Sequence, residues 1–377
     1  MNRNAEIVRT LSNVFCSLGT GRLRIGVVYD EEYAKYDLGE GHPFRGDRFI
    51  NAVKFFEAQG LFKLPDVFIV HPKPALREDL LRVHDPDYVD LIFRLGAAGR
   101  PYDIETPVSP QILSAVMLIV GGAVEAGKAV FEGRANRAVS IGCGFHHAGR
   151  NYGGGFCIFN DIAIMTEYLR VKHGLKRVMI IDHDVHAGNG TSDIYYEDSN
   201  VLFVSLHQDP RTIYPGTGFI QQVGRGLGVG YNVNVPLPPQ TGDRTYLHAL
   251  REIVPPLADE FKPELIVSNG GSDPHFADML GSLGLTVQGF FGISRTLAET
   301  AKRVCNGRMV IMPGSGYNPS VLPQCWYALA AGVMDLEKID VEDPCAPPVE
   351  PEFVHVRVEE TLRTLKNTLK DYWKCFR

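Results

Sequence analysis

Paired cysteines are the first thing this chain lacks. Its seven, Cys16, Cys143, Cys157, Cys305, Cys325, Cys345 and Cys375, are odd in number and show no paired metal-ligand spacing. A reducing cytoplasm is the simpler setting for them. A secretory signal is missing too: residues 1–20 carry Arg3, Glu6 and Arg9 with no sustained apolar core, the pattern of an amphipathic helix ahead of the first strand. The most apolar stretch, residues 112–130, is broken by glycines, Glu125 and Lys128, so it reads as a buried helix and not as a membrane span. Positive charge is not in excess either. A net charge of -6 offers no general attraction for nucleic acid. Internal repeats and low-complexity tails are absent.

What is present is enough apolar material for a large core, 45% of 377 residues. Short apolar runs at 23–28, 67–70, 138–141, 178–182, 201–205, 265–268 and 309–312 read as strands. Amphipathic stretches between them, including 161–172, 246–260 and 292–303, read as helices, so the class is α/β. Length alone would allow two or three domains. The loops that carry the reactive side chains are spread from His146 to Tyr317 and must converge, which places residues 21–340 in one catalytic domain. Residues 1–20 form a helical extension. Beyond 340, a proline-rich connector leads to Leu362, Leu365 and Leu369 at helical spacing, a terminal helix packed on the domain or contacting a second copy in a homo-oligomer.

The chemistry concentrates after the strand at 178–182, where Asp182, His183, Asp184, Val185 and His186 follow one another. Asp184 and His186 are two apart, so on extended backbone both side chains leave the same face and meet one ion; Asp182 lies on that face one pleat deeper. A carboxylate and an imidazole suit a divalent metal such as zinc, and a third protein ligand would leave a position open for water or substrate. Asp273, at the end of another apolar run followed by small residues, is the candidate third ligand. Loops at the carboxyl ends of neighbouring parallel strands share one crevice, which lets these distant segments meet. His146 and His147 sit in a glycine-rich loop after the strand at 138–141, and Tyr317 follows a similar strand and loop.

These loops, with the segments Tyr36 to Pro43 and His84 to Tyr88 in the same order, resemble the histone deacetylase superfamily, which includes acetylpolyamine amidohydrolases and acetoin-utilisation proteins. The resemblance runs roughly from Leu23 to Leu336. It implies an arginase-like three-layer fold with a central, mostly parallel sheet flanked by helices. It further implies Asp184, His186 and Asp273 as ligands of zinc, or of ferrous iron, and Tyr317 as the hydroxyl facing the substrate carbonyl. His147 would be the general base and His146 its charged neighbour, oriented by Asn189 and Asp182 respectively. Some relatives carry an aspartate at the position of Asn189, so a neutral partner should leave less positive charge on His147. A potassium site would use the side chains of Asp182 and Ser205 and the carbonyls of Asp184, His186 and Leu206.

By the same resemblance Gly155, Phe156 and Tyr214 wall a narrow tunnel suited to the methylenes of an acylated lysine. Leu280 stands near the place where relatives that prefer acetylpolyamines carry an acid, and leucine cannot pair a second amine. Glu105 corresponds to the rim acid that grips substrate backbone, with Asp103 and Glu40 nearby. Ala187, Met279, Pro313 and Ser315 depart from the common pattern without removing a reacting group. The expectation is a metal-dependent hydrolase of an acetyl-lysine-like amide in a peptide, protein or small molecule. The alternatives are an acetylpolyamine amidohydrolase, a non-catalytic acyl-ligand sensor and, with less support from the ligand set, a dinuclear ureohydrolase.

Overall fold

Short runs rich in valine and isoleucine build one sheet. In the computed structural model, which describes residues 23–377, the strands are β1 (Ile25–Val28), β2 (Val67–Val70), β3 (Arg137–Ser140), β4 (Val178–Asp182), β5 (Val201–Gln208), β6 (Asn232–Leu237), β7 (Leu265–Gly271) and β8 (Met309–Ser315). The helix expected over residues 1–20 lies outside the described residues. The strands pair in the order β2-β1-β3-β8-β7-β4-β5-β6, and every pairing is parallel. Strands β1, β3, β4, β5 and β7 are buried along their whole length, as a parallel sheet covered by helices on both faces requires.

The expected helices form as Asp161–His173, Asp243–Phe261 and Val287–Cys305. The apolar stretch becomes the helix Pro110–Phe131, begun by the Ser109 hydroxyl accepting from the Ile112 N–H at 3.2 Å, with Pro110 in its first turn. By length and composition that helix could cross a membrane, yet 67% of its most apolar window is buried inside the protein. Its glycines permit close packing. A Cβ on Gly121 would stand 1.6 Å from the Lys73 carbonyl oxygen, and one on Gly122 would stand 2.0 Å from the Tyr33 hydroxyl.

Strand β6 has no counterpart in the sequence reading. Asn232 and Asn234 alternate with Val233 and Val235 before Pro236, a pattern that hides a strand. The position explains it: β6 is an edge, where a missing N–H is tolerated, and both asparagine amides donate to the Gln222 carbonyl. Strands β5, β7 and β8 also run farther than the apolar runs alone indicate, to Gln208, Gly271 and Ser315. Their extra residues lead into the site, where Asn269 donates to Asp182 and Ser315 to Asp273.

The terminal helix Glu352–Leu369 buries Val354, Val358, Leu362, Leu365 and Leu369 against β6 and the helix Asp243–Phe261. Upstream, Asp343 in the connector accepts from the His275 ring at 2.6 Å and from the Val287 N–H at 3.1 Å. Because Leu365 is fully buried, Leu365→Ala should lower stability to chemical denaturation by about 2–5 kcal/mol. A loss below about 0.5 kcal/mol, the range of a neutral surface change, would show that the helix adds nothing to the domain.

Candidate metal centre and tunnel

Strands β3, β8, β7 and β4 are consecutive neighbours, so the loops leaving their carboxyl ends meet above the middle of the sheet. This is why residues far apart in sequence share one crevice. The ligand atoms of Asp184 and His186, just after β4, and of Asp273, just after β7, all lie within 4.8 Å of one another, and the three residues are buried. Asp184 Oδ1 accepts from the His186 backbone N–H at 2.8 Å and from His186 Nδ1 at 3.0 Å. Asp273 Oδ1 accepts from the Ser315 hydroxyl at 2.8 Å, while its Oδ2 is buried with no hydrogen-bond partner among the described residues, 3.5 Å from His186 Nδ1. Two buried carboxylates and an imidazole turned toward one point, with a carboxylate oxygen left orphaned, fit a divalent cation. Ser315, a departure from the common glycine, thus bonds a candidate ligand directly.

Asp182 sits beneath this cluster. Its Oδ1 accepts from the Asp184 N–H at 3.2 Å and the Asn269 amide at 3.1 Å, and its Oδ2 faces His146 Nδ1 at 2.7 Å. The β3 loop is held by Asp161, which accepts from the N–H groups of Gly144 and Phe145 at 2.8 Å each. That anchoring brings His146 Nε2 to 3.0 Å from His147 Nε2, and His147 Nδ1 to 2.7 Å from Asn189 Oδ1. Ser205 is the register partner of Asp182 across β4 and β5, its hydroxyl 2.7 Å from His207 Nδ1, and the neighbouring Leu206 carbonyl accepts from the Tyr246 hydroxyl at 3.2 Å.

A cavity of about 600 Å³ leads down to His147, His186 and Tyr317. Gly155, Phe156, Tyr214, Leu280 and Glu105 all line it, with Glu40 also at its border. The ring centroids of Phe156 and Tyr317 are 5.7 Å apart, and those of His147 and Tyr214 are 5.0 Å apart. Gly155 has φ +53°, and a Cβ there would stand 2.4 Å from the His147 ring, so the tunnel wall at this point must be backbone alone. Met279 is largely exposed and Ala187 is buried.

Two residues that position Tyr317 escaped the sequence reading. Asp278 accepts from the N–H groups of Tyr317 at 2.7 Å, Asn318 at 3.1 Å and Leu280 at 3.0 Å, tying the tyrosine loop to the tunnel wall. Arg48, buried, places its guanidinium 3.7 Å from the Phe44 ring centroid and 5.5 Å from that of Tyr317. Neither stands in a pattern that signals its role; a lone loop aspartate looks like a turn residue.

Electrostatics separate the two histidines. Burial opposes charge on His146, but Asp182 and Asp184 outweigh it and raise its pKa to about 9. Burial, then the neighbouring His146 and His186, push His147 well below the usual histidine range. Tyr317 is held well above 10 by burial and by Asp273 and Asp184, so it keeps its proton. Without a metal, burial opposes charge on His186 but the hydrogen bond to Asp184 and the close approach of Asp273 raise it to about 10; burial and the nearby Asp184 raise Asp273 to about 7. A metal must displace those protons. Calorimetric titration with zinc, in buffers of different ionisation enthalpy, should show release of about one proton near pH 8.5, from His186, rising toward about two near pH 6. Release that does not change with pH would contradict this arrangement.

Comparison with known proteins agrees with the geometry. Residues 42–333 match the histone deacetylase domain. A "Probable deacetylase" of Archaeoglobus fulgidus is 35% identical, covering 93% of this chain and 99% of its own. The "Acetoin utilization protein AcuC" of Bacillus subtilis is 34% identical over 79% of each chain. The solved structure of the HDA15 HD domain matches with a TM-score of 0.82 at 25% identity, covering 94% of this chain and 97% of that one. The single parallel sheet, the convergent loops and these matches lead to one conclusion: the chain belongs to the histone deacetylase family.

Proposed function

We propose that this deacetylase-family protein hydrolyses an acyl-lysine-like amide at the base of the tunnel. The observation that supports this reading best is the meeting of Asp184, His186, Asp273, His147 and Tyr317 at one end of a cavity walled by Phe156 and Tyr214. Asp184, His186 and Asp273 would hold a zinc-type ion, or ferrous iron, which would supply Lewis acidity and make water a better nucleophile at neutral pH. The remaining work falls to the protein's own groups. His147, neutral at Nε2, takes the proton from the attacking water and returns it to the departing amine. His146, kept cationic by Asp182, stabilises the negative charge that develops beside it. The Tyr317 hydroxyl donates a hydrogen bond to the carbonyl oxygen as it gains charge.

Substrate shape follows from the walls. An acylated lysine is neutral along its methylenes and loses little on entering between two aromatic rings, whereas a free ammonium there would be desolvated without a partner. Leu280 offers no such partner. Glu40 and Glu105 border the same cavity and favour a second reading, in which a cationic amine beyond the acyl group binds at the mouth. Potassium between Asp182, Ser205 and the carbonyls of Asp184, His186 and Leu206 would brace the loop that carries the ligands.

Metal-stripped protein given one equivalent of zinc should release acetate from an acetyl-lysine peptide, with a higher kcat/KM than for acetylspermidine. The reverse ranking would favour the polyamine reading, and no turnover of either by metal-loaded protein would sink both. Tyr317→Phe should keep its metal and lose about 10²–10³ in kcat, the usual effect of removing one oxyanion donor. Near-normal turnover in that variant would take Tyr317 out of the mechanism.

A further inference from the structure

Asn189 presents a problem that an aspartate would not. A carboxylate accepts from His147 through either oxygen, but an amide accepts or donates according to which end faces the ring. The wrong end would turn His147 Nδ1 into an acceptor, move its proton to Nε2 and remove the lone pair that proton transfer needs. His146 Nε2, 3.0 Å from His147 Nε2, favours the same tautomer from one side of the ring, and Tyr152 and Asp193 stand where they can fix the amide on the other. Asn189 and Asp193 lie four apart on the helix Asn189–Tyr195 and so share a face. Between them, the Tyr152 hydroxyl donates to Asp193 Oδ2 and accepts from Asn189 Nδ2 at 3.4 Å.

The tyrosine has a single proton to give. A carboxylate can only accept, so Asp193 takes that proton and the phenol oxygen remains as an acceptor. Asn189 must then turn its NH₂ toward Tyr152 and its oxygen toward His147 Nδ1, which is the arrangement observed at 2.7 Å. Tyr152 is itself held by the turn before it. The Gly149 N–H donates to the Tyr152 carbonyl at 2.9 Å, and a Cβ on Gly149 would stand 2.3 Å from the tyrosine ring, so this placement depends on glycine.

We propose that Tyr152 and Asp193 are positioning residues that set the orientation of the Asn189 amide and, through it, the tautomer of His147. The inference rests on the proposed hydrolytic role of His147. It predicts dependence on the asparagine: in an Asn189→Asp background both oxygens are equivalent and the tyrosine has nothing left to orient.

The test compares Tyr152→Phe in the natural chain with the same substitution in Asn189→Asp, using zinc-loaded full-length protein. In the natural chain kcat on an acetyl-lysine peptide should fall about three- to tenfold with KM unchanged, the scale of one lost hydrogen bond. Relative to the Asn189→Asp parent, the same substitution should change kcat less than about twofold. Nitrogen-15 spectra of histidine-labelled protein, with His147 identified by loss of its signals in His147→Ala, should show the Nδ1–H tautomer. In Tyr152→Phe they should move toward Nε2–H. Asp193→Asn, at an exposed position, should shift both readouts in the same direction and guards against a folding defect in the tyrosine variant. Equal losses in both backgrounds, or unchanged ring-nitrogen shifts in Tyr152→Phe, would overturn the proposal. If the natural chain hydrolyses no acyl amide, the proposed function fails while the tautomer still decides the role of Tyr152.

Discussion

Burial of Asp182, Asp184 and Asp273 at the ends of adjacent strands is the constraint on which the rest of the site depends. Carboxylates that are 2% exposed or less cannot remain ionised without partners. Each partner therefore has a reason to be where it is. His146 is cationic because Asp182 is beneath it, Asn269 donates to the second oxygen of that carboxylate, and Ser315 holds Asp273 with one oxygen still free. Burial, and then the charge on His146 and His186, keeps His147 neutral against the pull of Asp184, since adjacent imidazolium rings would repel in a low-dielectric pocket. Two neighbouring histidines thus acquire opposite properties, one from the acids beneath it and the other from burial beside its charged neighbour.

The parts of this arrangement that could be read in the sequence are those set by local periodicity. Asp184 and His186 reveal themselves because a strand repeats every two residues, and Asp273 because it ends a second apolar run. Most strands were legible for the same reason. What was not legible acts across long separations. Asp278 bonds the Tyr317 backbone from 39 positions away, and in the sequence it is one more loop aspartate. Arg48 approaches Tyr317 from a helix that begins at Asp47, and nothing in its neighbours marks it for burial. Strand β6 was hidden by asparagines whose amides donate to the Gln222 and Phe219 carbonyls on another segment.

The family resemblance supplied what local pattern could not, an order of motifs shared with the histone deacetylase family. It carried the aromatic walls and the paired histidines to particular residues, and the cavity gathers Phe156, Tyr214 and His147 among them. It was silent on what is individual to this chain. Ser315 in place of glycine and Asn189 where some relatives have aspartate each carry hydrogen bonds that their alternatives would not make in the same way. Differences of this kind leave the fold untouched and act on the site through donors and acceptors one bond removed from it.

Gly155 links two properties that an enzyme would ordinarily adjust separately. The tunnel wall at this point lies so close to the His147 ring that no side chain fits between them. The bore there cannot be narrowed without displacing the imidazole. Divergence toward shorter or bulkier acyl groups is thereby channelled to lining side chains that can change size, such as Tyr214 and Leu280.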